Sequence, residues 1–436
     1  MIVPTKRFWA LVALGIPIAL AGAVVPGLEK LLLPYDIGVF GLLLITGFVA
    51  KKGDPLSVKR ESDPILSVRV PNAVTLTLEN TSQTPVTVEV RDEPPATALA
   101  TKTAFRMKLE PERPEEVSYS ITPFERGEQD FTGTHVRYLA PLGLAWVQKE
   151  LPTRQTARVY PNVKAVKEFD LLNQRGKLNM MGLRRTRNKG LGQEFESLRD
   201  YNEDDYRTID WKASARRGKL VVRNYETEKN QAVIVCVDVG RHMMAEVDGV
   251  RKLDYALDSA LMLMHTAERQ GDQIGLLVFN DVIKAYAAPR KGRAQVAAIL
   301  DKVHDAQAEP VQPNYAAAFT YLANRWKKRS LLVVFTDAEN EDQATDLVQS
   351  LGPIHRRHLL MVVRVADPKL RELRALQVSD ERDMYARTAA LWYSADRKKA
   401  EAVLRAAGFH TLEAEPQELA SALVGAYLRV KELSLI

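Results

Sequence analysis

The sequence lacks the cysteine pairs and histidine clusters that build disulfide-linked or metal-bound folds. Its 436 residues include one cysteine, Cys236, and seven histidines that show no H-E-x-x-H spacing. A single thiol forms no intrachain disulfide, which is typical of a reducing compartment, and no cysteine cluster is present to bind zinc. Cys236 lies in the apolar run AVIVCVDV, where we expect a small core side chain.

The sequence also lacks the motifs of nucleotide binding and nucleophilic catalysis. It contains no G-x-x-x-x-G-K-[ST] loop, and VDVGRHMMAEVDG has the wrong glycine spacing for a dinucleotide site. There is no G-x-S-x-G elbow and no visible pair of nucleophile and base. The net charge of +6 is small for this length and does not indicate nucleic acid. These absences favour a protein that is neither an enzyme nor a nucleic-acid binder.

Two long apolar runs open the sequence, FWALVALGIPIALAGAVV (8–25) and LLLPYDIGVFGLLLITGFVA (31–50). Each is close to the roughly 20 residues that a helix needs to cross a hydrocarbon core. The connection PGLEK is short, so residues 1–56 are predicted to form a hairpin of two transmembrane helices that contacts the membrane through residues 8–50. Asp36 is costly inside lipid, and we place it near the outer interface.

Basic residues flank this predicted hairpin at both ends. Lys6 and Arg7 precede the first run, and Lys51 and Lys52 follow the second. The positive-inside rule therefore places both ends in the cytoplasm, so we expect an inner (cytoplasmic) membrane protein whose other domains face the cytoplasm. A cleaved signal peptide is the alternative. A cleaved signal peptide is disfavoured because the second apolar run would stop the transfer of the chain across the membrane.

Residues 57–160 have the period of β-strands. The stretch VTLTLENTSQTPVTVEV alternates apolar residues with threonine, glutamate or asparagine and is interrupted by the turn-rich NTSQTP. About seven short strands in roughly a hundred residues predict an antiparallel β-sandwich. No cluster of histidine, cysteine or carboxylate stands out in this region, so its expected role is that of a spacer or docking surface.

Residues 231–436 alternate strand and helix patterns. AVIVCVDV (232–239) and SLLVVFTDAEN (330–340) are continuous apolar runs, as expected of strands buried on both faces, and they lead into Asp238 and Asp337. The alternation predicts a Rossmann-like α/β domain with a mostly parallel sheet. Ligands of such sheets bind beyond the carboxyl ends of the strands, where both aspartates are predicted to lie.

Residues 161–230 form a segment of a third kind, in which LRDYNEDDYRTIDWKASARRGKL runs from acidic to basic without a sustained helical period. We expect Trp211 to be buried and to anchor this strap. Arg199 and Asp210 are among the residues expected to hold it through ion pairs. A helical turn is predicted near its end. A partner-facing surface that includes Lys212 is the alternative.

The stretch GQEFESLRDYNEDDYRTIDWKASARRGKLVVRNYETEKNQAVIVCVDVGRHM (192–243) resembles the bacterial family called domain of unknown function 58. The shared features are E-F-x-x-L-R-x-Y, R-x-I-D-W-K-A-S-A-R, a basic hairpin and a strand that ends in aspartate. The apolar hairpin and the β-sandwich also fit the layout of this family, so the resemblance covers nearly the whole chain. It implies a last domain like that of von Willebrand factor A and a MoxR-type AAA+ ATPase as partner in assembling or maturing other proteins.

The same resemblance bears on metal binding. Von Willebrand A-type domains often hold Mg²⁺ through D-x-S-x-S, a distant threonine and a late aspartate. Asp238 and Asp337 match the two acids, but both serines are lost and Asn314 stands where the threonine is expected. Mg²⁺ requires octahedral oxygen ligands, so we expect a degenerate site without tight metal binding. Asp238 is expected to accept backbone N–H groups or to pair with Arg241.

Together these features predict a membrane-anchored, non-enzymatic adaptor that acts with a MoxR-type AAA+ ATPase on an unidentified client complex and needs no cofactor. The residues predicted to bind partners are Asp238, Arg241, Asp337, Arg199, Asp210, Trp211 and Lys212. The alternative is a metal-dependent hydrolase that uses Asp238, Asp337 and Asp210. A nucleophile-and-base arrangement of these acids would favour the hydrolase, whereas acids paired with cations or backbone groups would favour the adaptor.

Overall fold

The computed structural model describes residues 1–22, 24–25, 27–53, 55–162, 194–201, 209–226, 231–433 and 435. The chain divides into two compact units, Met1–Tyr160 and Pro161–Ile436, and each is described by itself. Much of the predicted strap at 161–230 lies outside the described residues.

The first apolar run forms helices that are shorter than its length predicts. α1 (Lys6–Ala13) and α2 (Gly15–Gly22) stand where one helix was predicted over 8–25. The break follows from Pro17, which has no N–H to donate and whose ring clashes with the carbonyl four residues earlier, that of Ala13. The prediction of one continuous helix is therefore wrong for this run.

The second apolar run forms α3 (Leu32–Gly53), close to the predicted range. Among the described residues it is the one helix long and apolar enough to cross a membrane. Val39 and Leu43 on α3 belong to the apolar core of the first unit. Phe8 on α1 packs edge-on against Phe40 on α3, with ring centroids 5.2 Å apart.

Both ends of this helical segment join the same β-domain. β1 (Ile2–Pro4) pairs antiparallel with β11 (Ala145–Leu151), and the Thr5 hydroxyl donates to the Gly143 carbonyl at 2.7 Å. At the other end, α3 leads into β2 (Leu56–Ser62). The start of the chain and the end of α3 are therefore both held by the β-domain.

The β-domain consists of short strands, mostly antiparallel, as the period-2 pattern predicts. Its remaining strands are β3 (Ile65–Ser67), β4 (Asn72–Asn80), β5 (Val86–Asp92), β6 (Ala98–Ala100), β7 (Ala104–Leu109), β8 (Glu115–Pro123), β9 (Gly127–Phe131), β10 (Thr134–Leu139) and β12 (Gln155–Tyr160). They form sheets of order β1-β11-β10-β5-β7, β2-β4-β8-β6 and β3-β12-β9. Alternate residues of β4, such as Val74 and Leu76, and of β5, such as Val88, enter one shared core.

A buried ion pair lies within this domain. The side chains of Arg60 on β2 and Asp92 on β5 are 1% and 0% exposed, and Arg60 Nε donates to Asp92 Oδ2 at 3.0 Å. Asp92 also accepts hydrogen bonds from the hydroxyls of Tyr119, at 2.6 Å, and Thr134, at 2.8 Å. The period-2 pattern of these strands carries no signal for this pair.

In the second unit, part of the predicted strap has regular structure. β13 (Glu194–Asp200) pairs antiparallel with β14 (Val221–Glu226), and α4 (Trp211–Arg217) lies between them in the sequence. Asp210 caps α4, because its Oδ1 accepts the backbone N–H of Ala213 at 3.0 Å. The predicted helical turn is confirmed.

The second unit also contains the predicted α/β domain. Its sheet strands are β15 (Ala232–Asp238), β18 (Gln273–Phe279), β19 (Ile283–Arg290), β20 (Leu331–Phe335), β21 (Leu359–Val365) and β22 (His410–Ala414), and a small hairpin consists of β16 (Glu246–Val247) and β17 (Val250–Arg251). The sheet order is β19-β18-β15-β20-β21-β22, with the edge strand β19 antiparallel and the other pairs parallel. The mostly parallel sheet is therefore confirmed.

Helices cover both faces of this sheet. They are α5 (Lys252–Arg269), α6 (Arg293–Val303), α7 (Tyr315–Arg325), α8 (Glu341–His355), α10 (Glu381–Ala406) and α11 (Pro416–Glu432), whereas the short α9 (Pro368–Ala375) buries none of its residues. One core lies under α5, α6 and α11, and the other lies under α7, α8 and α10. Cys236 is fully buried in the second core, as expected.

Candidate functional site

Two carboxylates lie at the carboxyl edge of the parallel sheet. Asp238 is the last residue of β15, and Asp337 follows the neighbouring parallel strand β20 by two residues. The chain runs outward from β15 to one edge of the sheet and from β20 to the other, so the strand order reverses between them. Open α/β sheets bind ligands at this switch point. The structure thus places both aspartates where the sequence predicted.

Neutral hydrogen-bond donors hold Asp238. Its side chain is fully buried; Oδ1 accepts the Gly240 N–H at 2.7 Å, and Oδ2 accepts the Thr336 hydroxyl at 2.7 Å. The Tyr315 hydroxyl lies 2.8 Å from that of Thr336. Burial raises the pKa of the Asp238 carboxyl, and the bonds from Thr336 and Gly240 counter only part of this effect. The expected bond from a backbone N–H is therefore made.

Two cations hold Asp337. The side chain is 1% exposed; its Oδ2 contacts the Lys252 ammonium, and its Oδ1 accepts a hydrogen bond from Arg397 at 2.9 Å. Burial alone would raise the pKa of Asp337, but the charges of Arg397 and Lys252 outweigh it, so the pKa lies below its usual range. The carboxylate therefore remains ionised and paired.

These contacts continue into a buried charge network. Glu413 lies 2.6 Å from one Arg364 nitrogen and 3.1 Å from one Arg397 nitrogen. Arg364 is 2% exposed, and burial lowers the pKa of its guanidinium. We call Lys252, Asp337, Arg364, Arg397 and Glu413 the strand-end network. Three cations and two carboxylates thus neutralise most of their charge against one another below the edge of the sheet.

The Mg²⁺ site implied by the family resemblance does not fit these residues. Both oxygens of Asp337 already contact cations, and those of Asp238 accept hydrogen bonds from Gly240 and Thr336. A side chain at position 240 has no room, because a Cβ there would lie 2.9 Å from the Val311 carbonyl oxygen. Among the described residues, no group of three or more His, Cys, Asp or Glu side chains is placed to hold a metal ion.

We expect Mg²⁺ to stabilise the full chain very little. A site with a millimolar dissociation constant, at an equal metal concentration, would add about 0.4 kcal/mol. The measurement is calorimetric titration of Mg²⁺ and Mn²⁺ into the full chain, with melting temperatures recorded with and without EDTA. A micromolar one-to-one isotherm that disappears in Asp337→Ala would instead reveal a functional metal site.

The rim above the strand-end network is exposed. Arg241, in the loop after β15, is exposed, and its Nε lies 3.4 Å from His242 Nε2, so it does not make the alternative predicted pair with Asp238. Met244 in the same loop is 38% exposed. Asn314 caps α7 by accepting the Ala317 N–H at 2.9 Å. This rim presents a cation and an apolar side chain to solvent.

The sequence-predicted residues of the strap belong to the ribbon of β13, α4 and β14. Arg199 lies on β13, Asp210 caps α4, and Trp211 and Lys212 begin α4 with both side chains exposed. The expectation of a buried anchor is wrong for Trp211, which is 67% exposed. Val221 on β14, in the same ribbon, is buried. The first turn of α4 directs its largest side chain outward.

Because Trp211 is exposed, we expect Trp211→Ala to change the free energy of unfolding by no more than about 0.5 kcal/mol. Truncation of Val221 to alanine, a buried neighbour in the same ribbon, should cost more. Chemical denaturation of the two full-length variants makes the comparison. A loss of several kcal/mol in Trp211→Ala would restore the reading of a buried anchor.

Three residues central to this edge were missed from the sequence. Lys252 is the first residue of the amphipathic helix α5, and Arg397 lies in the second half of α10. Thr336 immediately precedes Asp337. A usable signal was available only for Thr336, since it stands in the same strand-end motif as Asp337. The two cations come from sequence positions 85 and 60 residues away from Asp337, respectively.

Comparison with known proteins identifies one family. Residues 197–402 match the family described as "Protein of unknown function DUF58". This range includes most of the ribbon and four of the five residues of the strand-end network, and it agrees with the resemblance seen in the sequence. No curated protein matches the chain.

Solved structures resemble parts of the chain only weakly. The CARDB domain of the PF1109 protein from Pyrococcus furiosus is 14% identical over 24% of this chain and 86% of its own, with a TM-score of 0.18. Proximal thread matrix protein 1 from the mussel byssus is 12% identical over 48% of each chain, with a TM-score of 0.27. At these scores, neither similarity supports an inference about function.

Proposed function

Since the chain belongs, through residues 197–402, to the family of proteins of unknown function DUF58, we propose that it is a membrane-anchored, non-enzymatic adaptor. Its α/β domain, of the von Willebrand factor A type, would bind a MoxR-type AAA+ ATPase at the carboxyl edge of the sheet. The bound ATPase would then act on a client protein complex. The domain type is supported by the sheet order, in which one antiparallel edge strand flanks five parallel strands.

One observation carries the proposal: the acids at the strand ends are engaged structurally. Asp337 is ionised between Lys252 and Arg397, and Asp238 accepts its bonds from neutral donors. Asp210, the third acid of the hydrolase alternative, caps α4. Hydrolysis requires a carboxylate whose lone pairs can reach a water or a substrate. The paired charges of the strand-end network instead form a rigid support beneath an exposed rim, which suits a surface that binds a protein.

Membrane anchoring is supported by the arrangement of the first unit. α3 has 22 residues, which at about 1.5 Å per residue span roughly the thickness of a hydrocarbon core. The segment before it returns to the β-domain through β1, so both ends of the helical segment are held on one side. We propose that α1 and α2 together form the first arm of a transmembrane hairpin and α3 the second. Lys51 and Lys52, at the end of α3, support an orientation in which the β-domain faces the cytoplasm.

This topology predicts the behaviour of a reporter fused after Ile436. A fluorescent protein that matures only in the cytoplasm should be bright there, and alkaline phosphatase should be inactive. The basic flanks of the hairpin are the physical reason. Active alkaline phosphatase at this position would show that the domains face the opposite side.

The adaptor proposal is tested by capture of the ATPase. The full chain is cross-linked in native membranes and purified, and its partners are identified by mass spectrometry. We expect a MoxR-type AAA+ ATPase, with severalfold less recovered from Arg241→Glu. Arg290→Glu, a charge reversal at an exposed position at the end of β19, is the matched control. Equal recovery from both variants, or no ATPase at all, would contradict the proposal.

A further inference from the structure

Within the described part of the second unit, no other element covers an apolar face of helix α10. Tyr385 is 70% exposed and Trp392 is 75% exposed, and Met384 and Leu391 beside them are 47% and 48% exposed. Isolated exposed apolar residues are ordinary, but a contiguous patch of large side chains marks an interaction surface. The opposite side of the helix, at Ala390, Arg397 and Leu404, is buried against the α/β domain. The exposed face is therefore not the one that holds α10 in the fold.

The spacing of this face suits packing against another helix. Met384, Thr388, Leu391 and Ala395 follow one another at intervals of four, three and four residues, and Tyr385 and Trp392 lie beside this stripe. Such spacing is the pattern by which one helix packs along another. The Thr388 hydroxyl is satisfied within its own helix by the Met384 carbonyl, at 2.8 Å. The stripe therefore presents no unsatisfied hydroxyl to a partner.

The ends of the stripe carry opposite charges. Exposed Glu381 lies one turn before Met384. Lys399, one turn after Ala395, is 62% exposed and lies 3.3 Å from Asp396 of its own helix, an exposed pair that contributes little. Glu381 and Lys399 are separated by about 27 Å along the helix, at roughly 1.5 Å per residue. In an antiparallel pair of identical helices, the Glu381 of each copy can therefore meet the Lys399 of the other.

That register also matches large side chains with small ones. With Glu381 opposite Lys399, Trp392 of one copy stands opposite Thr388 of the other, and Tyr385 stands opposite Ala395. Large residues opposite small ones allow two helices to interdigitate closely. A two-fold axis repeats each contact, as closed symmetric dimers require. We infer that the exposed face of α10 binds a second copy of this chain through an antiparallel, two-fold helix pair.

The size of the face sets the expected strength of this dimer. Its two aromatic side chains, 70% and 75% exposed, can bury about 200–350 Å² per copy, and with the half-exposed Met384 and Leu391 the interface stays below the roughly 800 Å² per partner of a standard interface. We therefore expect a reversible dimer with a dissociation constant in the micromolar range. The inference does not depend on the proposed adaptor role.

The test measures the mass of the purified full chain in mild detergent by light scattering, over about 1 to 100 μM. The wild type should change from monomer to dimer over this range. Trp392→Glu should remain monomeric, whereas Val282→Glu, a matched change at another exposed apolar residue, should dimerise like the wild type. A wild type that is monomeric throughout, or a Trp392→Glu variant that dimerises normally, would overturn the inference.

Charge exchange tests the register. Glu381→Lys and Lys399→Glu should each weaken the dimer severalfold, because like charges then face each other at both ends. The double variant Glu381→Lys/Lys399→Glu should recover dimerisation. Failure of the double variant to recover, with single variants that are impaired, would contradict the antiparallel register. Loss of ATPase capture in a variant that still dimerises would affect the adaptor proposal alone.

Discussion

Lys252→Ala is expected to lower the free energy of unfolding of the α/β domain by about 3 kcal/mol, because it leaves a buried carboxylate with one cation instead of two. The Lys252 ammonium contacts Asp337 Oδ2, and the two side chains are 7% and 1% exposed. Arg397 still contacts the other oxygen of Asp337, which places the expected loss at the lower end of the range for breaking a buried pair.

Hydrogen exchange at the amides of β15 and β20 measures this loss in the full chain, since core strands exchange through global opening of their domain. Lys284→Ala is the matched control. Lys284 pairs with Glu309 at 2.7 Å, but the two side chains are 38% and 43% exposed, so its loss should cost less than about 1 kcal/mol. Equal effects of the two substitutions would show that the strand-end network contributes little to stability.

Arg60→Ala should lower the free energy of unfolding of the β-domain by about 3–5 kcal/mol. It removes the cation that pairs with Asp92, a fully buried carboxylate, and leaves only the hydroxyls of Tyr119 and Thr134 to satisfy it. Those neutral donors cannot compensate a buried charge.

The adjacent residue is the matched control for Arg60. Lys59 lies on the same strand and pairs with Glu61 at 2.7 Å, but the two side chains are 75% and 58% exposed. Lys59→Ala should therefore change stability by no more than about 1 kcal/mol. Exchange at the amides of β4 and β5 is the readout. A loss below about 1 kcal/mol in Arg60→Ala would mean that water reaches Asp92 in solution.

The fold was largely predictable because its patterns are local. A continuous apolar run that ends in an acid, as at Asp238, predicts a buried parallel strand, and strand alternation predicts the β-domain. The break between α1 and α2 was missed because hydropathy outweighed the single Pro17, which local chemistry alone could have identified. Helix α9 and the first half of α10 were not predicted. The apolar residues in the first half of α10 recur at helical spacing but face solvent and not the core.

The candidate site was predictable only in part because its charges pair across the fold. Asp238 and Asp337 follow from strand ends, but Lys252 and Arg397 belong to helices that the sequence shows only as amphipathic. Ion pairs between residues 60 and 85 positions apart produce no periodic pattern in the sequence. Trp211 shows the opposite error, since an aromatic residue in a polar segment suggested burial although α4 exposes it.

Site-specific photo-cross-linking tests most directly whether the rim above the strand-end network binds the ATPase. A photoreactive amino acid replaces exposed Arg241 in the full chain, with exposed Arg290 replaced as the control. Irradiation of native membranes should link position 241, and not position 290, to a MoxR-type AAA+ ATPase. If position 241 gives no link to the ATPase, or only the same link as position 290, the rim is not the binding surface and the claim is contradicted.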